Sequence, residues 1–257
     1  MSEGDYNATT GRLLALDFGN TALKATVLEG EREIDRRFVR SDWQAEVTAL
    51  LQAWRPEGAV VCSVGPDAES VRAKLAGIEP ALRVLILDAE TPVPIEEDYP
   101  RATLGADRLA GVAGVAKEGE TVMLVDAGTA MTIDIVDNCR HLGGNISPGI
   151  KMRLGALAQR TSLLPEVDKE GALPEYGCDT ETAIRCGCVR GAAWETAGAW
   201  RRALERFGKV RLVITGGDAA IIAHLLREEG IQVEEDREAV ARGMARIYSY
   251  NNDTRHE

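Results

Sequence analysis

The stretch LVDAGTAMT at residues 124–132 and the stretch LALDFGNT at residues 14–21 are built alike. Each is a short apolar run that ends in Asp, one further residue, Gly and, at most two positions later, Thr. An apolar run of this length predicts a buried strand, and the Gly permits a tight turn directly after it. Asp17 and Asp126 lie 109 positions apart, so the chain carries the same acidic strand end twice.

The segments around each strand end repeat as well. Residues 22–39 alternate like a β-hairpin, and segments with helical and strand-like spacing then follow in turn. Residues 130–144 again predict a hairpin, which leads into a Gly- and Pro-rich loop at 141–150. A long helix over 179–208, interrupted at its glycines, precedes a last strand and two helices. This order predicts a duplicated α/β domain rather than a short-period repeat.

The domain boundary is expected in the polar stretch at 117–120, between a helix and a strand. The prediction is then a flexible leader at residues 1–12, a first domain at 13–118 and a second domain at 119–257.

Composition argues against several classes of protein. The chain has 41 acidic and 30 basic side chains, a net charge of −11, which would repel the phosphate backbone of a nucleic acid. No apolar run reaches the roughly 20 residues of a membrane span, and the polar start MSEGDYNATTGR lacks a signal-peptide core. Five cysteines without a signal sequence favour free thiols. We therefore expect a cytoplasmic protein without nucleic-acid or membrane partners.

Two acidic, Gly-containing strand ends suit a nucleoside triphosphate. The Gly brings backbone N–H groups close to phosphate oxygens, and the Thr adds a hydroxyl donor. A carboxylate repels phosphate, so Asp17 is expected to hold Mg²⁺, directly or through water, while Lys24 neutralises phosphate charge. One such Asp is more often only a turn-capping residue. The duplication favours two phosphate loops that face each other.

Two further segments allow both a structural and a functional interpretation. ITGGDAAI at 214–221 predicts either a turn with a helix capped by Asp218, or an adenosine pocket in which a flat ring approaches Gly216 and Gly217. TLGADRLAG at 103–111 places Asp107 at a helix start, where its carboxylate would be an N-cap or a general base beside Arg108. From the residues alone, the cap is slightly favoured.

The segments LDFGNTALK, LGADRLAG, VDAGTAMTID, HLGGNISPGI and TGGDA occur in this order between residues 13 and 248. In this the chain resembles the type III pantothenate kinases, of the acetate and sugar kinase/Hsp70/actin superfamily. The resemblance implies two ribonuclease H-like, actin-like ATPase domains with a nucleotide cleft between them. It implies ATP-dependent phosphorylation of pantothenate to 4′-phosphopantothenate, the first step of coenzyme A biosynthesis. Mg²⁺ with ATP, a monovalent cation (K⁺ or NH₄⁺) and a homodimer are also implied.

The resemblance assigns roles to particular residues. ATP contacts are expected from the first loop, the second loop and the Gly-Gly turn: Asp17, Phe18, Gly19, Asn20, Thr21, Ala22, Leu23, Lys24, Thr129, Gly216 and Gly217. Substrate contacts are expected from Tyr99, Gly105, Ala106, Asp107, Arg108 and Thr180. Asp107 is the implied catalytic base, Arg108 faces the pantothenate carboxylate, and Asp126 holds the monovalent cation.

Two positions depart from the family pattern. The family's tyrosine usually stands seven residues before the glycine of the G-x-D-R segment, whereas Tyr99 stands six before Gly105. An Asn-Thr pair, whose Thr meets substrate across the dimer, is Asp179-Thr180 here. The alternatives to a pantothenate kinase are another small-molecule kinase of the superfamily, a non-catalytic ATP-binding regulator and, with least weight, an actin-like switch.

Overall fold

The structure, a computed structural model, describes residues 11–63 and 67–253. The leader expected at 1–12 lies outside these residues except for its last two. The chain forms two compact units, of which the second is Lys117–Arg237. The first contains the described residues before Lys117 and also those from Glu238 to Asp253. This differs from the expected continuous domain at 119–257, because the chain returns to the first unit for its last helix.

In chain order, the first unit contains β1 (Arg12–Phe18), β2 (Leu23–Glu29), β3 (Arg32–Val39), α1 (Trp43–Trp54), β4 (Gly58–Ser63), α2 (Ala68–Ile78), β5 (Arg83–Ile86), β6 (Glu96–Glu97), a 3₁₀ turn (Arg101–Thr103) and α3 (Ala106–Val115). The second unit contains β7 (Thr121–Ala127), β8 (Ala130–Asp137), β9 (Arg140–Pro148), α4 (Ile150–Arg160), α5 (Thr180–Phe207), β10 (Arg211–Thr215), α6 (Ala219–Glu228) and β11 (Glu234–Glu235). Helix α7 (Ala239–Asp253) then completes the first unit.

The two units share one strand order, which confirms the predicted duplication. In the first unit the order is β3-β2-β1-β4-β5, and in the second β9-β8-β7-β10-β11. The pairs β1–β2 and β7–β8 are antiparallel, whereas β1–β4 and β7–β10 are parallel. Asp17 and Asp126 are each the sixth residue of their strand. The two acidic strand ends are therefore equivalent positions of a repeated fold.

Strand β1 is buried on both faces, as its unbroken apolar run predicts. Leu14, Leu16 and Phe18 pack with α1 and α2. Leu13 and Ala15 lie on the opposite face, in the cluster that contains residues of α3 and α7. Since side chains alternate along a strand, Asp17 continues the row of Leu13 and Ala15 and belongs to the α3 side at the carboxyl end of β1.

Glycines explain why α7 packs with the first unit. A Cβ atom on Gly243 of α7 would lie 1.7 Å from the Ala110 carbonyl oxygen of α3, and one on Gly114 of α3 would lie 1.9 Å from the Ala239 carbonyl oxygen. The two helix backbones therefore touch directly. Arg242 Nε also donates to the Gly114 carbonyl at 3.0 Å. This close crossing fixes the position of α3, which begins one residue before Asp107.

Two local predictions were wrong. Residues 141–148 do not form a loop but continue strand β9, which pairs with β8 through a register shift between Ile135 and Val136. The predicted breaks in the long helix are absent from this described segment, since α5 runs continuously from Thr180 to Phe207. Tertiary pairing in the strand and the length of the helix outweigh the local preference of glycine for turns.

In the ranges 11–63 and 67–253, no helix combines the length and the apolar character that a membrane crossing requires.

Candidate active site

The first acidic strand end lies beside a lysine and a cysteine. Asp17 is in register with Lys24 on β2 and with Cys62 on β4, and Lys24 Nζ is 3.3 Å from Asp17 Oδ2. Burial raises the pKa of Asp17 above its ordinary value, Lys24 lowers it, and the charge of Asp107 raises it further. Asp17 and Asp107 are thus close enough to influence each other electrostatically.

A tight turn follows Asp17. The Gly19 N–H donates to the carbonyl oxygens of Asp17 and Ala22, both at 3.2 Å. Asn20 and Thr21 are exposed at the tip of this turn. Two other residues with predicted ATP contacts, Phe18 and Leu23, have their side chains in the core, where the Phe18 ring packs edge-on against Trp43 at 5.3 Å. Only the backbone of Phe18 and Leu23 is suited to contact a ligand.

Asp107 is not the N-cap of α3, so the interpretation favoured by the residues alone was wrong. Gly105 occupies the cap position and Asp107 lies in the first helical turn. The Asp107 carboxylate curls back, accepting the Arg108 N–H at 2.8 Å through Oδ1. A Cβ atom on Gly105 would lie 2.5 Å from that same oxygen. The Gly of the G-x-D-R segment therefore leaves space for the carboxylate.

Arg108 points away from water, and its guanidinium stacks on Tyr99. The Arg108 side chain is buried, and its Cζ atom is 4.9 Å from the centre of the Tyr99 ring. A cation over an aromatic face is attracted by the ring quadrupole, which fixes the orientation of the guanidinium. The structure thus brings Tyr99 next to Arg108 despite the spacing that departs from the family pattern.

The second acidic strand end has different neighbours. Asp126 is in register with Thr132 on β8 and with Thr215 on β10, at the positions that Lys24 and Cys62 occupy around Asp17. Register partners share a face of the sheet, so two hydroxyl side chains flank this carboxylate. Thr129 is exposed in the following turn, and its carbonyl oxygen accepts the Gly149 N–H at 3.1 Å.

The Gly-Gly turn lies against the same strand end. Gly216 has a φ of +97°, and a Cβ atom there would lie 2.5 Å from both the Ala127 carbonyl oxygen and Asp126 Oδ1. The Asp218 N–H donates to the Ala127 carbonyl oxygen at 2.9 Å. Gly217 is exposed on this turn. The second unit therefore brings Asp126, Gly216 and Gly217 together; whether they bind a nucleotide stays a prediction.

Thr180 is the exposed first residue of α5. The preceding Asp179 caps the helix. Its carboxylate accepts the Thr182 N–H at 2.8 Å, and the Asp179 N–H in turn donates to the Thr182 hydroxyl oxygen. Asp and Asn are comparable N-caps, so the exchange at this position preserves the helix start.

Cys62 is a site residue that the sequence did not reveal. It lies beside Asp17 on β4 and is completely buried in the cluster beneath α3. Burial raises the pKa of the Cys62 thiol well above its ordinary value, and the charges of Asp17 and Asp107 raise it further, against a smaller opposing effect of Lys24. Only the parallel pairing of β1 with β4 places this thiol at the site.

Because the thiolate is the reactive form, Cys62 is expected to resist alkylation in the native protein. Iodoacetamide at neutral pH should label the exposed Cys178 and leave Cys62 unmodified, whereas the unfolded chain should be labelled at both. Peptide mass spectrometry measures the two sites separately. Equal native labelling of Cys62 and Cys178 would contradict the buried, carboxylate-flanked position of Cys62.

Among the residues that the structure describes, no group of three or more His, Cys, Asp or Glu side chains is arranged to hold a metal ion. Asp17 and Asp126 each offer a single carboxylate, so a cation there would take most of its ligands from a bound nucleotide and water. Mg²⁺ typically takes one or two protein carboxylates together with phosphate oxygens and water.

The chain has the fold of two duplicated ribonuclease H-like domains, which solved structures of other proteins share. A ROK family glucokinase from Streptomyces griseus superposes with a TM-score of 0.51 at 12% identity, covering 92% of this chain and 98% of that one. A Campylobacter jejuni structure assigned to the Baf family of transcriptional activators superposes with a TM-score of 0.60 at 23% identity, covering 93% and 99%. The predicted fold class is confirmed.

The chain belongs to the type III pantothenate kinase family, whose model matches residues 13–202. A type III pantothenate kinase from Bacteroides fragilis is 34% identical over 243 residues, which cover 93% of this chain and 98% of the relative. One from Porphyromonas gingivalis is 35% identical over 244 residues, with the same coverage. The family resemblance seen in the five sequence segments is confirmed.

Proposed function

We propose that this chain transfers a phosphoryl group from ATP to the primary hydroxyl of pantothenate, giving 4′-phosphopantothenate in the first step of coenzyme A biosynthesis. Family membership supports the reaction. The observation that carries the proposal is the Asp107 carboxylate, held over Gly105 and electrostatically coupled to Asp17 at the end of β1. The proposed base and the carboxylate of the first phosphate loop thus lie near each other within one unit.

In this proposal Asp107 accepts the proton of the pantothenate hydroxyl as that oxygen attacks the γ-phosphorus in line. Phosphoryl transfer depends mainly on positioning and charge stabilisation, and its loose transition state releases the proton late, so a carboxylate is basic enough. Arg108 binds the pantothenate carboxylate, with Tyr99 holding the guanidinium in place. Gly105 and Ala106 line the substrate beside them.

The first loop serves the phosphates of ATP. Turn residues 20–22 offer backbone N–H groups and the Asn20 and Thr21 side chains, Gly19 shapes the turn, and Lys24 supplies positive charge. Asp17 would hold Mg²⁺, directly or through water, and bound Mg²⁺ would neutralise charge on the phosphate oxygens. Thr129, Gly216 and Gly217 of the second unit contact the nucleotide.

We assign a monovalent cation, K⁺ or NH₄⁺, to Asp126. The two acidic strand ends differ in their register partners: Asp17 pairs with a lysine, whereas Asp126 is flanked by the hydroxyls of Thr132 and Thr215. A carboxylate flanked by two neutral hydroxyl groups suits a cation of low charge.

Purified protein with Mg²⁺ and ATP is expected to release ADP in K⁺ buffer only when pantothenate is added. In Na⁺ buffer the wild-type rate should fall at least about tenfold, since altering a metal site typically costs about 10- to 100-fold in affinity or activity. In Asp126→Asn the rate should be low and nearly the same in both buffers, because the cation contact is missing. A coupled enzyme assay of ADP release measures all five conditions.

Other outcomes of this assay identify the alternatives. Turnover with a sugar or another carboxylate but not with pantothenate would indicate a different small-molecule kinase. ATP binding without turnover on any acceptor would indicate a non-catalytic regulator. Turnover of pantothenate that does not depend on the cation would support the kinase activity but contradict the assignment of a monovalent cation to Asp126.

We further propose a cytoplasmic homodimer, with Thr180 contacting substrate bound by the second copy. Three exposed hydrophobic side chains, Ile146, Met152 and Trp194, support the dimer. They lie on elements joined by Arg153, which donates to the Ser147 hydroxyl and pairs with Glu195. Sedimentation equilibrium gives the subunit count, and a monomer at micromolar concentration would contradict the dimer. Cell fractionation tests the location.

A further inference from the structure

The connection between α4 and α5 is long and tightly held. Residues 161–179 form neither helix nor strand. Loops of this length without secondary structure are uncommon in compact domains, and where they occur they are often functional. Val167 anchors the segment in the core of the second unit, with Leu164 and Leu173 packed beside it. Part of this connection is thus a fixed structure rather than a simple linker.

Two arginines of α5 hold the middle of the connection. Arg185, which is buried, donates through Nε to the Asp168 carbonyl at 2.9 Å and through Nη1 to the Ala172 carbonyl at 3.1 Å. Arg190 donates to the carbonyls of Leu173 and Pro174, both at 2.8 Å. Residues 168–174, here named the clamped segment, therefore have their backbone carbonyls bound at both ends.

The clamped segment also bends around the Arg185 guanidinium. Gly171 has a φ of +124°, and a Cβ atom there would lie 2.9 Å from Arg185 Cζ. Both the backbone conformation and the space permit only glycine at this point. Lys169 lies within this bend, between Asp168 and Ala172, whose carbonyl oxygens Arg185 binds.

A salt bridge of Lys169 connects the clamped segment with the Gly-Gly turn. Its Nζ atom is 2.5 Å from Asp218 Oδ1, and Asp218 follows Gly217 directly. Asp218 has the N-cap position of α6, yet in the described structure its carboxylate makes no capping hydrogen bond. The carboxylate binds Lys169 instead. The Asp218 N–H meanwhile bonds to Ala127, so one residue connects the clamped segment with the strand end of Asp126.

We propose that Lys169 is a positioning residue for the nucleotide. Its salt bridge with Asp218 holds the clamped segment against the Gly216–Gly217 turn and keeps the turn in the conformation that binds ATP. The inference rests on the proposed function, which assigns this turn to ATP. It adds a residue outside every segment that carried the family resemblance, and it gives the connection between α4 and α5 a role as one wall of the nucleotide subsite.

The side-chain environment supports this role. The Lys169 side chain is about one-third exposed and that of Asp218 is mostly buried, so the pair is partly shielded from water. The bond to Asp218 raises the pKa of Lys169, so the ammonium stays charged throughout the neutral range. A partly buried ion pair that joins two loops restricts both of them, whereas a fully exposed pair contributes little.

Lys169→Met is the decisive variant, because it keeps the length of the side chain and removes its charge. We expect the Kd for MgATP, measured by titration calorimetry, and the KM for ATP to rise about tenfold, the loss typical of one charge-assisted contact. The kcat at saturating ATP and the KM for pantothenate should stay within about twofold, since Asp107 and Arg108 lie in the other unit.

Companion variants separate positioning from general destabilisation. Lys169→Arg should restore most of the ATP affinity. Asp218→Asn should match Lys169→Met, and the double variant should be no worse than either, because both changes remove the same bond. Lys209→Met, at an exposed lysine between α5 and β10, is the matched control and should bind MgATP like wild type.

Two results would overturn the inference. One is unchanged MgATP affinity in Lys169→Met while wild type binds and turns over ATP. The other is a loss of ATP affinity accompanied by an equal loss of pantothenate affinity and a lower Tm, which would make Lys169 a general stabilising residue. A wild-type protein that fails to bind MgATP would instead contradict the proposed function itself.

Discussion

Asp107→Asn is expected to lower kcat at saturating ATP and pantothenate by about 10²- to 10⁴-fold, the range over which a positioned general base accelerates a reaction. The carboxamide has the shape of the carboxylate and its oxygen still accepts the Arg108 N–H, so the start of α3 should keep its structure. It cannot accept the proton of the attacking hydroxyl. Steady-state assays of ADP release measure the loss.

Nucleotide binding distinguishes a lost base from a damaged site. The Kd for MgATP should be within about threefold of wild type or slightly improved, because Asp107 adds negative charge near Asp17 and its neutralisation removes that repulsion. Asp42→Asn is the matched control: it is the same exchange in the same unit, at the N-cap of α1 on the opposite face of the sheet. Asn suits the left-handed conformation found there. Near-normal turnover in Asp107→Asn would contradict the assignment of Asp107 as the catalytic base.

The strand ends could be predicted from sequence because their signals are local. An apolar run predicts a buried strand, Asp-x-Gly predicts its end, and the alternation of side chains decides which face Asp17 occupies. The equivalence of Asp17 and Asp126 follows from repetition alone. The hairpins after each strand end were predictable for the same reason, since alternating residues and a short turn specify them.

The neighbours of these carboxylates could not be predicted in the same way. Cys62 approaches Asp17 through parallel strand pairing, and Lys169 reaches Asp218 across 49 positions of sequence. Nothing in either local segment indicates the partner. The status of Asp107 was ambiguous for a related reason, because N-caps are defined by backbone angles, and Gly105 takes that position where a side chain at 105 would collide with the carboxylate.

The glycines show where local reasoning fails in both directions. Those within α5 suggested breaks, yet Gly187, Gly191 and Gly198 face open space and leave the helix continuous. Gly114 and Gly243 carried no such signal, although they determine which unit receives α7. A glycine inside a helix is informative only once its partner backbone is known.

Gly243→Ala is therefore expected to be the most destabilising single methyl addition in the first unit. The new Cβ would lie 1.7 Å from the Ala110 carbonyl oxygen and 2.7 Å from the Gly114 nitrogen, both backbone atoms that cannot rotate away. The helices must separate, which also strains the bonds from Arg242 to Gly114 and from Arg246 to Ala113. We expect a loss of about 3 kcal/mol in the free energy of unfolding, at the upper end for overpacked cores.

Hydrogen exchange followed by mass spectrometry measures this loss unit by unit, which a single melting temperature does not. Amides of α3, α7 and β1 should exchange faster in Gly243→Ala, while those of β7 and α5 in the second unit should change little. Gly77→Ala is the matched control, since α2 belongs to the same unit and a Cβ atom there meets open space. It should stabilise by up to about 1 kcal/mol, because alanine is the better helix former. If both substitutions were neutral, α7 would not pack on α3 through glycine, and the start of α3 that holds Asp107 would need another support.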